Sequence, residues 1–481
     1  MRKVIWSLLS IIALIGVCSV ASAADRSSRG NNDSAIAFMN VNVIPMDRER
    51  VLKNQTVIVR DGRIAEIGDS GRVRAPRGAL QIDGRGKYLV PGLIDMHVHL
   101  FSDDEFPDSL AGDELTVMLA NGVTTIRLMI GTPEHLVMRE KIAKGEMVGP
   151  TLYVASPQIS GRKSGAIFNG RVVTTPEDAQ KAVRDFKAAG YDFIKLTNYI
   201  TRPVYDAVID TAKDVGIRVV GHVDTQVGVA RALEVGQQIE HLDAYLEAVL
   251  KDDSPIKTSV SDVGLFRKQN WESLDYIDER KVKQIAQATA RAGIYSTPTL
   301  TFFKITFGTG ASDEEIRNRP DYRFIPARLR EAWDKAVKRI RAAPPTEARR
   351  REYVRVRNQL VKEIYEAGGK IMAGSDSPDA FLLYGWSLHR ELRNLVEAGL
   401  SPYAALEAAT RNPAEFLNAL DTFGTIARGK RADLVLLEAN PLADIANTEK
   451  RAGVMARGRW MPEAELRKKL DEIAPRFENP F

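Results

Sequence analysis

The stretch YLVPGLIDMHVHL, residues 88–100, decides how this chain is read. Leu89, Val90, Leu93 and Ile94 make a near-continuous apolar run of the kind found in a strand buried on both faces, and Pro91 with Gly92 marks its entry from another structural unit. In an extended strand residues i and i+2 share a face, so His97 and His99 present both imidazoles to one point. That spacing suits chelation. Two histidines at a solvated strand end are the plainer reading, and further ligands must decide.

Upstream, AIAFMNVNVI (35–44), QTVIVRDGRIAEIG (55–68) and ALQIDGRGKYL (79–89) alternate apolar and polar residues between Gly and Asp turns, which predicts a small sheet unit. Downstream, strand-like and helix-like patterns alternate, the signature of βα units around a parallel sheet. Eight strand candidates follow: GLIDMHVH (92–99), GVTTIRLM (122–129), TLYVAS (151–156), DFIKLT (192–197), IRVVGH (217–222), QQIEHL (237–242), GIYSTPT (293–299) and KIMAGSD (370–376). Eight is the number that closes a (β/α) barrel. The charge run from Pro320 to Glu366 interleaves Arg and Lys with Glu and Asp at helical spacing, which predicts a solvated helical excursion rather than a polyanion surface.

After the eighth strand come two helical stretches and then the β-like pieces GTIARGKRADLVLLEANP (424–441) and AGVMARGRW (452–460). The two ends of the chain thus share one character. The expected fold class is α/β: a (β/α)8 TIM-like barrel at 89–423 beside a small composite β-sandwich domain formed by 35–88 plus 424–463, with a C-terminal helical tail at 464–481.

The first residues read as a targeting segment: Arg2 and Lys3, the apolar run Val4 to Val20, then Ala21, Ser22 and Ala23 as a small-residue cleavage site. A signal peptide at 1–23 and a polar linker at 24–34 place the mature chain in the periplasm or outside the cell; an uncleaved membrane anchor is the alternative. After cleavage no stable membrane association is expected. With 481 residues and 44% apolar content, the chain is long enough for more than one structural unit. Its formal charge of +5 demands no nucleic acid. The one cysteine, Cys18, lies in the signal, so any metal must be held by His, Asp, Glu or a modified Lys.

In barrels of this type chemistry sits at the C-terminal ends of the strands. His97 and His99 end the first strand, Lys195 the fourth, His222 the fifth, His241 the sixth and Asp376 the eighth, so four of the six histidines face one mouth. Imidazole and carboxylate ligands suit first-row divalent metals, zinc especially, and the inventory supports two ions. Two cations need a bridging anion, and the fourth strand offers only Lys195. Its neutral amine can add carbon dioxide to give a carbamate with two ligand oxygens; an ordinary salt-bridged lysine is the alternative. Asp376 is the natural general base, able to take a proton from water and pass it to a leaving amine, with a turn or helix-cap aspartate as its plainer role.

PGLIDMHVH (91–99), FIKL (193–196), VVGH (219–222), IEHL (239–242), AGSD (373–376) and GTIARGKRADLVLL (424–437) together resemble the metal-dependent amidohydrolase superfamily, in particular its binuclear imidazolonepropionase-related and Xaa-Pro dipeptidase-like branch. The resemblance runs over nearly all of residues 36–460. It implies that His97 and His99 bind the more buried ion with Asp376, that His222 and His241 bind the second, and that carboxylated Lys195 bridges. Cytosine-deaminase-like members carry a glutamate three residues after the strand-five histidine; Thr225 stands there, which argues against deamination and for hydrolysis of an amide or ester.

The expected function is therefore an exported binuclear hydrolase that cleaves a C–N amide bond, of dipeptide or N-acyl amino acid type, by metal-bound hydroxide. A lactonase or phosphotriesterase on the same site is the second reading, and a non-catalytic periplasmic binding protein the reading from another class. Substrate contacts are expected from loops after the strands: Gln158 to Arg162, Tyr199, Tyr245, Phe302 and Phe303, with His389 from a later helix. Arg162 could clamp a substrate carboxylate bidentately. The partner expected is a small-molecule substrate, and the chain could assemble as a homo-oligomer.

Overall fold

The computed structural model describes residues 35–100, 110–163, 170–256, 268–307, 309–342 and 345–478. The signal and linker expected at 1–34 lie outside the described residues. Strands β1 (Ile36–Val43), β2 (Leu52–Arg60), β3 (Arg63–Asp69), β4 (Leu80–Asp83) and β5 (Tyr88–Pro91) precede ten short strands. These are β6 (Leu93–Val98), β7 (Val123–Leu128), β8 (Thr151–Val154), β9 (Ile159–Ser160), β10 (Arg171–Val172), β11 (Phe193–Leu196), β12 (Arg218–Gly221), β13 (Gln238–Glu240), β14 (Tyr295–Thr297) and β15 (Lys370–Ile371). The chain returns through β16 (Leu434–Leu437), β17 (Arg451–Ala456) and β18 (Arg459–Pro462) to a final helix, Glu463–Glu478.

Both chain ends enter one eight-stranded sheet of order β18-β17-β16-β5-β1-β2-β3, with β4 also paired to β1. The alternating apolar residues of these strands bury Phe38, Val41, Val57, Leu434 and Met455 in one core. β5 is the junction: it runs parallel to β1 and antiparallel to β16, and one residue later the chain resumes as β6. Gly92 makes that passage, because a Cβ there would stand 2.1 Å from Thr124 Oγ1. Residues 88–100 therefore span two units.

The remaining strands are parallel, in the orders β6-β7-β8 and β10-β9-β11-β12-β13-β14-β15. Single parallel bridges join Ala155 to Phe193 and Val98 to Ser377, and backbone hydrogen bonds run from Met96 N to Ala373 O (3.0 Å) and from Ser156 N to Phe193 O (2.8 Å). The short strands β9 and β10 are additions that the sequence pattern does not announce.

The crossovers follow amphipathic patterning. In the helix Pro176–Ala189, Thr175 accepts the Asp178 amide at the N-terminus and Gly190, at φ 91°, ends the helix. Ala179, Ala182, Val183 and Phe186 form its buried stripe at i, i+3, i+4, i+7. One expectation needs correction. The charge-rich segment near 320–366 is not a solvated excursion throughout: its second helix, Glu347–Glu366, buries Tyr353, Val354, Val356, Leu360, Val361 and Ile364, and with them Arg350 and Arg357. Charged residues occupy that buried face because their guanidiniums find carbonyl partners, Arg341 and Pro345 for Arg350 and His241 for Arg357. Among the described residues no helix is long and apolar enough to cross a membrane.

Candidate metal centre

All six expected ligands sit at or just beyond the C-terminal ends of parallel strands, and the fold brings four imidazoles into a file. Ring centroids are 5.2 Å apart for His97 and His99, 4.7 Å for His97 and His241, and 4.8 Å for His222 and His241. Asp376 reaches in from the segment after β15, its backbone in the left-handed region at φ 57° and its amide bonded to the His97 carbonyl (2.8 Å). Its Oδ1 is 3.2 Å from Nε2 of both His97 and His99, and its Oδ2 is 3.8 Å from His241 Nδ1. One ligating atom from each of His97, His241 and Asp376 falls within 4.8 Å of the others. Lys195 is buried in β11, its amide held by Ser156 Oγ at 3.0 Å.

Partners on Nδ1 orient three of the rings. His97 Nδ1 is 2.7 Å from Glu240 Oε2, His222 Nδ1 is 2.7 Å from Asp243 Oδ2, and His241 Nδ1 is 2.8 Å from Thr299 Oγ1. Such partners fix the tautomer and leave Nε2 for a ligand. His99 Nδ1 is buried with no hydrogen-bond partner among the described residues.

The protonation states fit the same use. Burial pushes His97 down to about 4 and His241 well below its ordinary value. Burial pushes Asp376 up, but His97, His241 and His99 around it prevail and hold it well below the usual carboxylate range. Burial also lowers Lys195, to about 8, against the pull of Glu240 and Asp376. Neutral imidazoles beside an ionised carboxylate are the donor set that a divalent ion takes.

The proposed substrate contacts separate into two groups. Arg162 and Tyr199 stand together after β9 and β11, the guanidinium 3.4 Å from the ring centroid. Tyr245 and His389 are corrections. The backbone after β13 turns through left-handed residues, so Tyr245 is fully buried and bonds Thr289 Oγ1 at 2.8 Å, on the helix behind the strand. His389 lies on the buried face of its helix, held by Thr448 Oγ1 and the Asn121 carbonyl at 2.9 Å each. Both are packing residues. Phe303 is likewise fully buried, whereas Phe302 is half-buried.

Sequence reasoning missed Glu240 and Arg127. Arg127, fully buried in β7, donates to the Met96 carbonyl (2.7 Å), Gln238 Oε1 (2.8 Å) and Glu240 Oε1 (2.5 Å). Burial pushes Glu240 up, yet Arg127 and His97 overcome it and hold the carboxyl far below its usual range. The signal was present: Arg127, Glu240 and Asp95 are ionisable residues inside buried strands, and such residues are almost never fully buried unless paired.

Removing Glu240's charge by Glu240→Gln leaves the Arg127 guanidinium without its ion-pair partner, a change that costs about 3–5 kcal/mol in a buried pair. A folded-state pKa below the ordinary 4.5 means that Glu240's contribution is fully present above that value and is lost as pH falls through the folded pKa. Urea unfolding at about pH 7 and about pH 4 should show the variant less stable at neutral pH, with the deficit narrowing in acid. Unchanged stability at neutral pH contradicts this account of the pair.

Against known proteins, the sequence model described as the Amidohydrolase family matches residues 88–461. Enamidase from Eubacterium barkeri is 28% identical over 233 residues, 41% of this chain and 59% of the enamidase, so the match spans less than two thirds of that relative. Among solved structures, a bottromycin amidohydrolase is 24% identical with a TM-score of 0.71, covering 92% of this chain and 90% of the other. A Xaa-Pro dipeptidase with methionine bound in its active site is 22% identical with a TM-score of 0.64, covering 89% of this chain and 100% of the other. These two likenesses are likenesses of fold. The family match runs from β5 through the last strand of the composite sheet, and the chain belongs to the amidohydrolase family of hydrolases.

Proposed function

We propose that the protein is an exported, binuclear metal-dependent hydrolase that cleaves a C–N amide bond in a dipeptide or N-acyl amino acid. The observation that carries this reading is the convergence of His97, His241 and Asp376 within 4.8 Å, with His99 and His222 ring to ring beside them. His97, His99 and Asp376 would hold one divalent ion, zinc first, His222 and His241 a second, and Lys195 as a carbamate would bridge them. When bound, two such ions lower the pKa of water and polarise a carbonyl. Burial favours the neutral amine that a carbamate requires, against the pull of Glu240 and Asp376.

Asp376 would then work on protons. Its carboxylate is ionised and sits between His97 and His99, placed to take the proton of the attacking water and return it to the departing amine. Arg162, exposed on its loop and lying over Tyr199, suits a substrate carboxylate. The names of similar proteins, an enamidase, a bottromycin amidohydrolase and a Xaa-Pro dipeptidase, support the amide reading. The two inter-sheet bridges favour a closed (β/α)8 barrel at 89–423, and the composite sheet of 35–88 and 424–463 would fold over its core as a sandwich.

Zinc-loaded mature chain should turn over members of a panel of dipeptides and N-acyl amino acids, and Asp376→Asn should keep its metal while losing roughly 10²–10⁴-fold in turnover. Activity confined to lactones or phosphotriesters would overturn the amide reading. Wild-type turnover in Asp376→Asn would remove that residue's role. For export, mass spectrometry of the chain from the native envelope should find an N-terminus near Ala24; a soluble cytoplasmic species that keeps Met1 contradicts it.

A further inference from the structure

The turn after β13 carries three non-glycine residues in the left-handed region, His241 at φ 59°, Leu242 at 52° and Ala244 at 62°. Backbone of this kind costs about 1–2 kcal/mol per residue and persists only where the surroundings over-determine it. The same turn includes Asp243, whose Oδ2 holds His222 Nδ1 at 2.7 Å. One strained turn therefore sets both His241, directly, and His222, through Asp243.

The group that pins this turn comes from far away in the chain. Arg357, on the inner face of the helix Glu347–Glu366, donates its Nη2 to the His241 carbonyl. Its Nη1 donates to the Tyr353 hydroxyl at 3.3 Å, and its guanidinium lies 3.3 Å from the centroid of the Phe303 ring. Phe303 is itself fixed, because the helix Leu300–Phe307 begins with the Leu300 and Thr301 amides donating to Glu391 at 2.9 and 2.7 Å. Just before that helix, Thr299 supplies the hydroxyl on His241 Nδ1. Arg357 is 6% exposed; burial lowers its pKa, and the nearby Tyr353 and Asp243 raise it. The guanidinium thus closes a circuit from the outer helix to the carbonyl of a candidate ligand.

We infer that Arg357 is a positioning residue for the His222–His241 half of the centre: by donating to the His241 carbonyl while its guanidinium rests on the Phe303 ring, it keeps the left-handed turn in the one conformation that aims both imidazoles at the same ion. This rests on the metal-centre reading proposed above. Gln237 donates to the His222 carbonyl, and Ser156 and Asp95 accept the Lys195 and His97 amides, but Arg357 is the buried arginine among the described residues that bonds the main chain of a candidate ligand. A lysine cannot replace it, because one ammonium cannot present a planar fork to the carbonyl and the ring together.

The test compares zinc binding in the full chain, read as ions per molecule and by competition with a chromophoric chelator. Wild type should hold two ions. Arg357→Met and Arg357→Lys should keep one at wild-type affinity and bind the second roughly 10–100-fold more weakly, the usual cost of losing an outer-shell partner. In Arg357→Ala, low-millimolar methylguanidinium should restore the second ion, a rescue that general loss of packing does not give. Two ions at wild-type affinity in the folded Met and Lys variants overturn the inference. So does failure of both variants to fold, since Arg357 would then be an ordinary core residue. A wild-type chain that takes up fewer than two ions defeats the binuclear reading itself, and that result is distinct because it needs no variant.

Discussion

The mouth of the parallel sheet depends on Glu240 staying ionised inside the protein. Its carboxylate has no exposure, and it divides its two oxygens between Arg127 at 2.5 Å and His97 Nδ1 at 2.7 Å. Taking such charges out of water costs several kcal/mol each, and only well-formed hydrogen bonds on every side offset it. Arg127 meets that demand with the Met96 carbonyl and Gln238 as well as Glu240. Because β7 and β13 are not neighbours in either sheet, this pair ties strands together across the interior and not along an edge. It also fixes the His97 tautomer, so a structural ion pair reaches directly into the candidate ligand set.

Two close approaches make the same geometry possible. At Gly92 the chain leaves the composite sheet and enters β6, and at Gly374 the segment after β15 passes His97. A Cβ at Gly374 would stand 2.4 Å from Thr297 Cγ2 and 2.8 Å from His97 Cβ. Only glycine lets the last strand come near enough for Asp376 to share His97 and His99. The composite sheet, by gripping β5 on both sides, holds the start of β6 in place. Stability and site geometry are thus set by the same backbone contacts.

That the candidate ligands gather at one mouth was legible because they lie at or beyond the ends of short parallel strands, where sequence position and spatial position coincide. Their supports were not, because they come from distant parts of the chain: His241 and Arg357 are 116 residues apart, and Arg127 and Glu240 are 113. Charge density misled in the segment near 320–366, where Arg350 and Arg357 look like solvent residues but face inward. Tyr245 was misplaced because nothing in HLDAY announces a left-handed turn at non-glycine residues. His389 shows the opposite difficulty, since helical spacing tells that a histidine has a buried face but not that Thr448 and Asn121 meet it there. The alternation of strands and helices, and the kinship of the two chain ends, came through because they rest on periodicity, which is local.

The central claim is that six residues at one mouth hold two divalent ions bridged by carboxylated Lys195. The most direct measurement is a crystal structure of zinc-loaded protein grown with bicarbonate, with anomalous data collected on both sides of the zinc edge. The account predicts two peaks about 3.5–4 Å apart, as two-metal hydrolytic sites show, one beside His97, His99 and Asp376 and the other beside His222 and His241. Extra density should extend from Lys195 Nζ to both. A single peak, or two peaks with a bare ammonium at Lys195, contradicts it.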